Sequence, residues 1–259
     1  MTDVILVERD NDIATVVLNR PEKLNALTKP MWRRIGEVMN ELSADDGLRC
    51  VVVRGAGDKA FAPGNDIAEF ESERTNAEQA RAYGKIHLPS LAAVRDCRHP
   101  TVALIQGICV GGGLEIASAC DLRVCGASSR FGIPIGRLGL AAGYEEIRVL
   151  LSVAGRTGAL ELLLEGRVIG AEEALQKGLV TRVVADDKVE AEAYAAARRI
   201  AEGAPLVARW HKKFIRRLDD PRPLTPEELD EAYLSYDTED FQIGYRSFLA
   251  KTNPKFKGR

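Results

Sequence analysis

The sequence predicts an α/β fold followed by a helical C-terminal region. Two observations carry this. Short β-branched runs alternate with glycine-containing loops and helical patterns through residue 126, and from Gly170 onward the pattern is helical, punctuated by prolines at 205, 221, 223 and 226. At 259 residues the chain can bury a large core. Its 46% hydrophobic and 29% charged fractions are those of a soluble globular protein.

Each element has its own signal. VILVERDNDIATVVLNR (4–20) reads as two strands about the turn RDND, an N-terminal hairpin. Residues 28–42 have helical spacing, with Thr28 as N-cap and Pro30 early in the first turn. RCVVVRG (49–55) is a short buried strand and 57–66 a loop with glycine and proline. Residues 67–87 are polar and uneven, which predicts a helix with a mobile start. TVALIQG (101–107) is a further strand, followed by a glycine loop, a helix, and the strand LRVCG (122–126). Beyond Gly170, AEEALQKGLV (171–180) is a helix that Gly178 stops, and helices are expected over 187–202, 205–218, 226–236 and 238–251. The expected organisation is therefore an α/β core over 1–200 and a helical region over 201–259. No repeat of fixed period and no low-complexity segment stands out.

Composition excludes several classes of function. With 36 basic and 38 acidic residues the net charge is -2, so there is no electrostatic case for nucleic acid or an anionic membrane surface. MTDVILVERDND lacks the basic flank and long apolar run of a secretory leader. The most apolar stretch, 102–120, is interrupted by Gln106, Glu115 and glycines, and reads as core rather than a membrane span. Cys50, Cys97, Cys109, Cys120 and Cys125 are odd in number and contain no CxxC pair, which predicts reduced thiols and a cytoplasmic setting. His87, His99 and His211 are too scattered for an expected metal site or a supported serine triad, and no metal or redox cofactor is expected. WHKKFIRR (210–217) is basic, but Trp210, Phe214 and Leu218 recur at helical spacing, as in a packed helix with a charged face.

The chemistry concentrates in IQGICVGGGLEIASACD (105–121). Gly111, Gly112 and Gly113 precede a helix, where backbone N–H groups can approach a ligand at the positive end of the helix dipole. Neither a GxGxxG fingerprint nor a GxxxxGK[ST] loop is present. A second small-residue turn, in GDKAFAPGNDIAEF (57–70), also follows a strand and precedes a helix. Two such turns can each aim one N–H at a shared point, which is an oxyanion hole suited to a thioester carbonyl becoming an enolate. Glu115 stands in this apolar helix start. It either works as an acid–base group or is a structural acid with a buried partner.

LNRPEKLNALT, FAPGNDIAEF, GGGLEIASACDLRV and AEEALQKGLVTRVV, in this order and at these separations, resemble the crotonase family, the enoyl-CoA hydratase/isomerase group. The resemblance extends to the closing TEDFQIGYRSFLAKTNPKFKG. It implies a crotonase-like spiral of ββα units, C-terminal helices used in a homotrimer or dimer of trimers, and an acyl-CoA thioester substrate, with coenzyme A present only as part of that substrate. Carried over by position, the oxyanion donors are the N–H groups of Asn65 and Gly112; Asn65, Asp66, Ile67 and Ala68, with Gly112, line the coenzyme A side; and Glu115 is one of two catalytic glutamates. The second glutamate is missing. Where the family commonly reads F-G-x-P-E, this chain reads FGIPI, with Ile135 in the acid's place, and isoleucine transfers no proton. Downstream, Tyr144, Glu145 and Glu146 are unusual, and Glu145 is the candidate substitute acid; exposed acids at a helix start are the alternative. Water addition and elimination at C2–C3 is the leading expectation. The rivals are double-bond isomerisation, decarboxylation of a malonyl-type CoA, and acyl-CoA binding without catalysis.

Overall fold

The computed structural model describes residues 3–259. The chain opens with the expected hairpin, β1 (Ile5–Asp10) paired antiparallel with β2 (Ile13–Leu18). Helix α1 (Lys29–Ala44) is capped by Thr28, whose side chain accepts from the Met31 N–H. It buries one face through Met31, Trp32, Ile35, Val38 and Met39.

Among the described residues the chain then repeats one unit three times: a strand in a large sheet, a strand in a small sheet, and a helical return. The first unit is β3 (Cys50–Gly55), β4 (Ala60–Ala62), α2 (Phe70–Glu73) and α3 (Ala77–Asp96). The second is β5 (Thr101–Ile105), β6 (Ile108–Val110) and α4 (Gly112–Ala119). The third is β7 (Leu122–Gly126), β8 (Arg130–Gly132) and α5 (Tyr144–Glu165). There follow β9 (Ile169–Gly170), α6 (Ala171–Gln176), β10 (Arg182–Val184), α7 (Val189–Ala201), α8 (Pro205–Arg217), α9 (Pro226–Asp230) and α10 (Glu239–Ala250). The large sheet has the order β1-β2-β3-β5-β7-β10, parallel from β2 onward, and the small one the order β4-β6-β8-β9. This is the spiral of ββα units.

The strand period of two divides the interior. Val51 and Val53 of β3 face the main core with Phe61, Cys109 and Phe131, whereas Cys50 and Val52 face α7 across a second cluster. A parallel sheet covered on both faces needs such continuous apolar strands. All five cysteines are buried and free. No helix among the described residues is long and apolar enough to cross a membrane.

Three stretches differ from expectation. The loop expected over 57–66 contains β4, whose three residues pair in parallel with β6. The helix expected over 67–87 is broken: a 3-10 turn (Ile67–Glu69) leads into α2, then Asn76 caps α3 by accepting from the Glu78 and Gln79 N–H groups. Helix α3 continues through Pro89 to Asp96 because Ser90, Leu91, Ala93 and Val94 carry its buried face onward. Helix α5 is the longest of the described helices, and its sequence signals only the acidic start. Gly155, at φ 61° and ψ 179°, breaks its helical geometry midway and obscures a single periodic pattern. The helix expected over 226–236 is α9 followed by a 3-10 segment, Glu231–Asp237.

Candidate active site

Parallel pairing of β4, β6 and β8 sets the turns that follow these strands side by side. Gly64 (φ 108°) and Gly111 (φ 53°) touch there. A Cβ on Gly64 would stand 3.5 Å from the Gly111 Cα and 3.4 Å from the Gly112 nitrogen. Both positions call for glycine through their positive φ. The next residue in each turn is Asn65 and Gly112. Gly112 is the first residue of α4, so its N–H has no intrahelical acceptor. The Asn65 turn is held by its neighbours: Leu27 N–H donates to Gly64 O at 2.8 Å, and Asp66 N–H to Leu27 O at 2.8 Å. The Asn65 side chain is fixed as well, accepting from the Trp32 indole N–H at 2.7 Å and from the Tyr83 hydroxyl at 3.5 Å.

Asp66, Ile67 and Ala68 lead outward from this point. The Asp66 carboxylate pairs with Arg20 at 2.6 Å and accepts from the Ala68 N–H, and these contacts hold its carboxyl below the ordinary range, the Arg20 hydrogen bond most. Ile67 and Ala68 are exposed. The segment is therefore a rim with its one acid neutralised.

Glu115 lies one turn into α4 and is 6% exposed. Its partner comes from α3: the His87 Nε2 is 3.2 Å from Glu115 Oε2. The other ring nitrogen, Nδ1, is 3.7 Å from Glu146 Oε1 at the start of α5. Glu146 is the third residue of its helix and reaches back to the N–H of Gly143, the N-cap residue, which turns the carboxylate inward. Burial and the neighbouring Glu115 raise its carboxyl above the ordinary value, while the Gly143 N–H, His87 and Arg74 oppose that rise. His87 is 3% exposed, and the Trp32 indole packs on its ring with centroids 4.2 Å apart. The reacting-type atoms of His87, Glu115 and Glu146 all lie within 4.8 Å of one another.

Glu145 points elsewhere. It pairs with Arg95 at 2.9 Å and with Arg148 at 3.4 Å, with 40% of its side chain exposed. Ile135 sits in a 3-10 segment (Pro134–Leu138), half-buried against the main core. Sequence reasoning thus pointed to Asn65, Gly112 and Glu115, which the structure brings to one place, named Glu146 only beside the preferred Glu145, and missed His87, Trp32 and Tyr83. Two signals were available. Tyr83, His87, Leu91 and Val94 are spaced as one helical face, which puts the histidine on the buried side of α3. Glu146, Val149 and Leu150 stand at i, i+3 and i+4, which puts Glu146 on the side of α5 that holds Val149 and Leu150 buried.

A cavity of about 1050 Å³ opens elsewhere along α4 and α5. It is bounded by Arg95, Arg148, Val149, Phe214, Leu218 and Leu229 among others, and contains none of His87, Glu115 or Glu146. Charged groups at that cavity are engaged in ion pairs such as Arg95–Glu145 and Lys213–Glu231.

Known proteins share this arrangement of the chain. The family model for enoyl-CoA hydratase/isomerase matches residues 8–259. A probable enoyl-CoA hydratase of Mycobacterium tuberculosis is 34% identical, with 99% of each chain covered. An (E)-benzylidenesuccinyl-CoA hydratase of Thauera aromatica is also 34% identical, over 98% of this chain and 99% of that one. Among solved structures, an enoyl-CoA hydratase/carnithine racemase from Magnetospirillum magneticum superposes with a TM-score of 0.98 at 50% identity, covering 100% of this chain and 97% of that chain. With the spiral of ββα units, the paired glycine turns and a match over nearly its whole length, the chain belongs to the crotonase, or enoyl-CoA hydratase/isomerase, family.

Proposed function

We propose that the protein adds water across the C2–C3 double bond of a 2-enoyl-CoA thioester, and removes it in reverse. The observation that carries this reading is the meeting of two carboxylates, Glu115 and Glu146, beside the glycine turn that opens α4. Hydration needs one group to take a proton from water and another to deliver a proton to C2. Decarboxylation of a malonyl-type CoA needs only the stabilised enolate, and a binding protein needs neither acid. Glu146 supplies, from the first turn of α5, the carboxylate that Ile135 cannot.

In this reading the thioester oxygen lies against the N–H groups of Asn65 and Gly112, which stabilise negative charge as water attacks C3. Glu115 and Glu146 hold the water between them. The water loses a proton to one carboxylate as its oxygen bonds to C3, and the π electrons move toward the thioester. The acid of the pair then protonates C2. Trp32 and Tyr83 fix the Asn65 side chain and so hold the turn that presents one donor. Coenzyme A runs out along Asp66, Ile67 and Ala68 and enters only as part of the substrate. A cytoplasmic setting, in which thiols stay reduced, accords with the five buried free cysteines.

The test is turnover of a panel of CoA thioesters by the purified protein. Water addition to a short 2-enoyl-CoA is expected; isomerised or decarboxylated product alone, or binding with no product, overturns the reading. Gly112 tests the donor. Gly112→Pro should lower kcat by about 100- to 1000-fold, as the loss of an oxyanion donor does. Proline suits the φ of a first helical residue, but a Cβ here meets Leu27 Cδ1 and Trp32 Cζ2 at 3.1 Å. Gly112→Ala introduces the same Cβ and keeps the N–H, so the ratio between the two variants isolates the donor. Equal activities would remove it from the mechanism.

A trimer-based assembly through the C-terminal region (201–259) completes the proposal. Tyr233, Tyr236, Phe248 and Leu249 are each more than half exposed, an apolar surface that a subunit contact would cover. Light scattering should find three or six copies at micromolar concentration; a monomer would reject this assembly.

A further inference from the structure

We propose that His87 is a positioning residue that holds Glu115 and Glu146 as one unit and sets which of them carries a proton. The inference rests on the two-acid reading above and extends it to a third group, supplied by α3.

The imidazole stands between the two acids: Nε2 is within hydrogen-bond distance of Glu115 Oε2 at 3.2 Å, and Nδ1 is at an ion-pair distance of 3.7 Å from Glu146 Oε1, close enough for a small side-chain shift to complete the link. Each ring nitrogen faces a different carboxylate, and the two carboxylates come from two different helices, α4 and α5. The ring has little freedom to turn, because Trp32 packs on it and Tyr83 lies at its edge with centroids 6.3 Å apart. Proton counting then restricts the states of the trio. A neutral imidazole donates from one nitrogen and can only accept at the other, so it matches one carboxylate and one carboxylic acid. An imidazolium donates from both, so it matches two carboxylates. Both states contain the same number of protons and the same net charge. A proton shared in this way keeps one acid and one base available together, which is the composition that hydration requires. Two glutamates alone in a buried site would instead repel each other, and neither would have a donor on this side.

The other charged and titratable groups around the trio are few. Arg74, from the turn between α2 and α3, acts on Glu146 from a distance, and Tyr83 on α3 is kept in its neutral form by burial. The Gly143 N–H is the remaining donor to Glu146.

The experiment measures kcat and KM against pH for the full-length protein, His87→Phe and His87→Gln. Phenylalanine keeps the ring packing against Trp32 and removes both nitrogens, whereas glutamine keeps one donor and one acceptor. His87→Phe should lower kcat by about 10- to 100-fold, less than the loss of a direct acid or base, with KM nearly unchanged. Its basic pH limb should move to higher pH, because Glu146 loses a partner that favours its ionised form. His87→Gln should recover part of kcat and part of the limb position. A histidine that only fills space would lower thermal stability and leave the pH profile in place; that result, in either variant that folds, overturns the proposal. Failure of the two-acid reading is separate: it would appear as full activity in Glu146→Gln, whereas an inactive Glu146→Gln beside wild-type profiles in both His87 variants rejects only the link.

Discussion

Glu115→Gln should reduce kcat for enoyl-CoA hydration by about 100- to 10,000-fold, the range for loss of a positioned general acid or base. The substitution keeps size and hydrogen-bonding capacity but carries no exchangeable proton at neutral pH. The Glu115 contact with His87 can be replaced by the amide, since a neutral imidazole can donate to the amide oxygen. Fold and thermal stability should therefore change little, and so should the affinity for the acyl-CoA, which the proposed function assigns mainly to the turns at Asn65 and Gly112 and to the segment beyond them. A structural acid would show the reverse: reduced thermal stability, and near-normal turnover in whatever enzyme still folds. Single-turnover measurement together with a melting curve separates the two. Turnover within a few-fold of the parent removes Glu115 from the chemistry.

The parts of this molecule that could be read from its residues are those whose physical cause is local. The hairpin, α1 with its Thr28 cap, and the strands 50–55 and 101–105 each announce themselves through period, β-branching or capping chemistry. The small sheet does not. Strands β4, β6 and β8 are three residues long and take their stability from one another, so no local window contains the reason for them. The site divides in the same way. Asn65, Gly112 and Glu115 lie in motifs whose order along the chain resembles a known family. Their meeting with His87 and Glu146 depends on α3 and α5 packing against α4, which no single motif encodes. Glu145 and Glu146 show how narrow the margin is: adjacent residues on a helix point about 100° apart, so one faces Arg95 and the other the buried imidazole.

That one-residue difference gives the last prediction. Glu146→Gln should lower kcat by about 100- to 10,000-fold, whereas Glu145→Gln, which loses only a partly exposed ion pair with Arg95, should leave kcat near the parent value. The melting behaviour should differ too. Burial and Glu115 raise the Glu146 carboxyl above its unfolded value, so the folded state holds its proton more tightly than the unfolded state does. The stabilisation linked to that proton is fully present below the ordinary carboxylate range and is lost as pH rises through the raised value. At neutral pH the ionised Glu146 therefore weighs against folding. Glutamine mimics the protonated form, and its oxygen can still accept from the Gly143 N–H. Glu146→Gln should thus melt at or above the parent temperature at neutral pH, with the difference vanishing as pH falls below the ordinary carboxylate range. Higher stability bought with lost turnover is the signature of an acid kept for chemistry. Should Glu146→Gln retain activity while Glu145→Gln loses it, the first turn of α5 must rearrange around the substrate, and the pairing of Glu146 with Glu115 would not be the catalytic one.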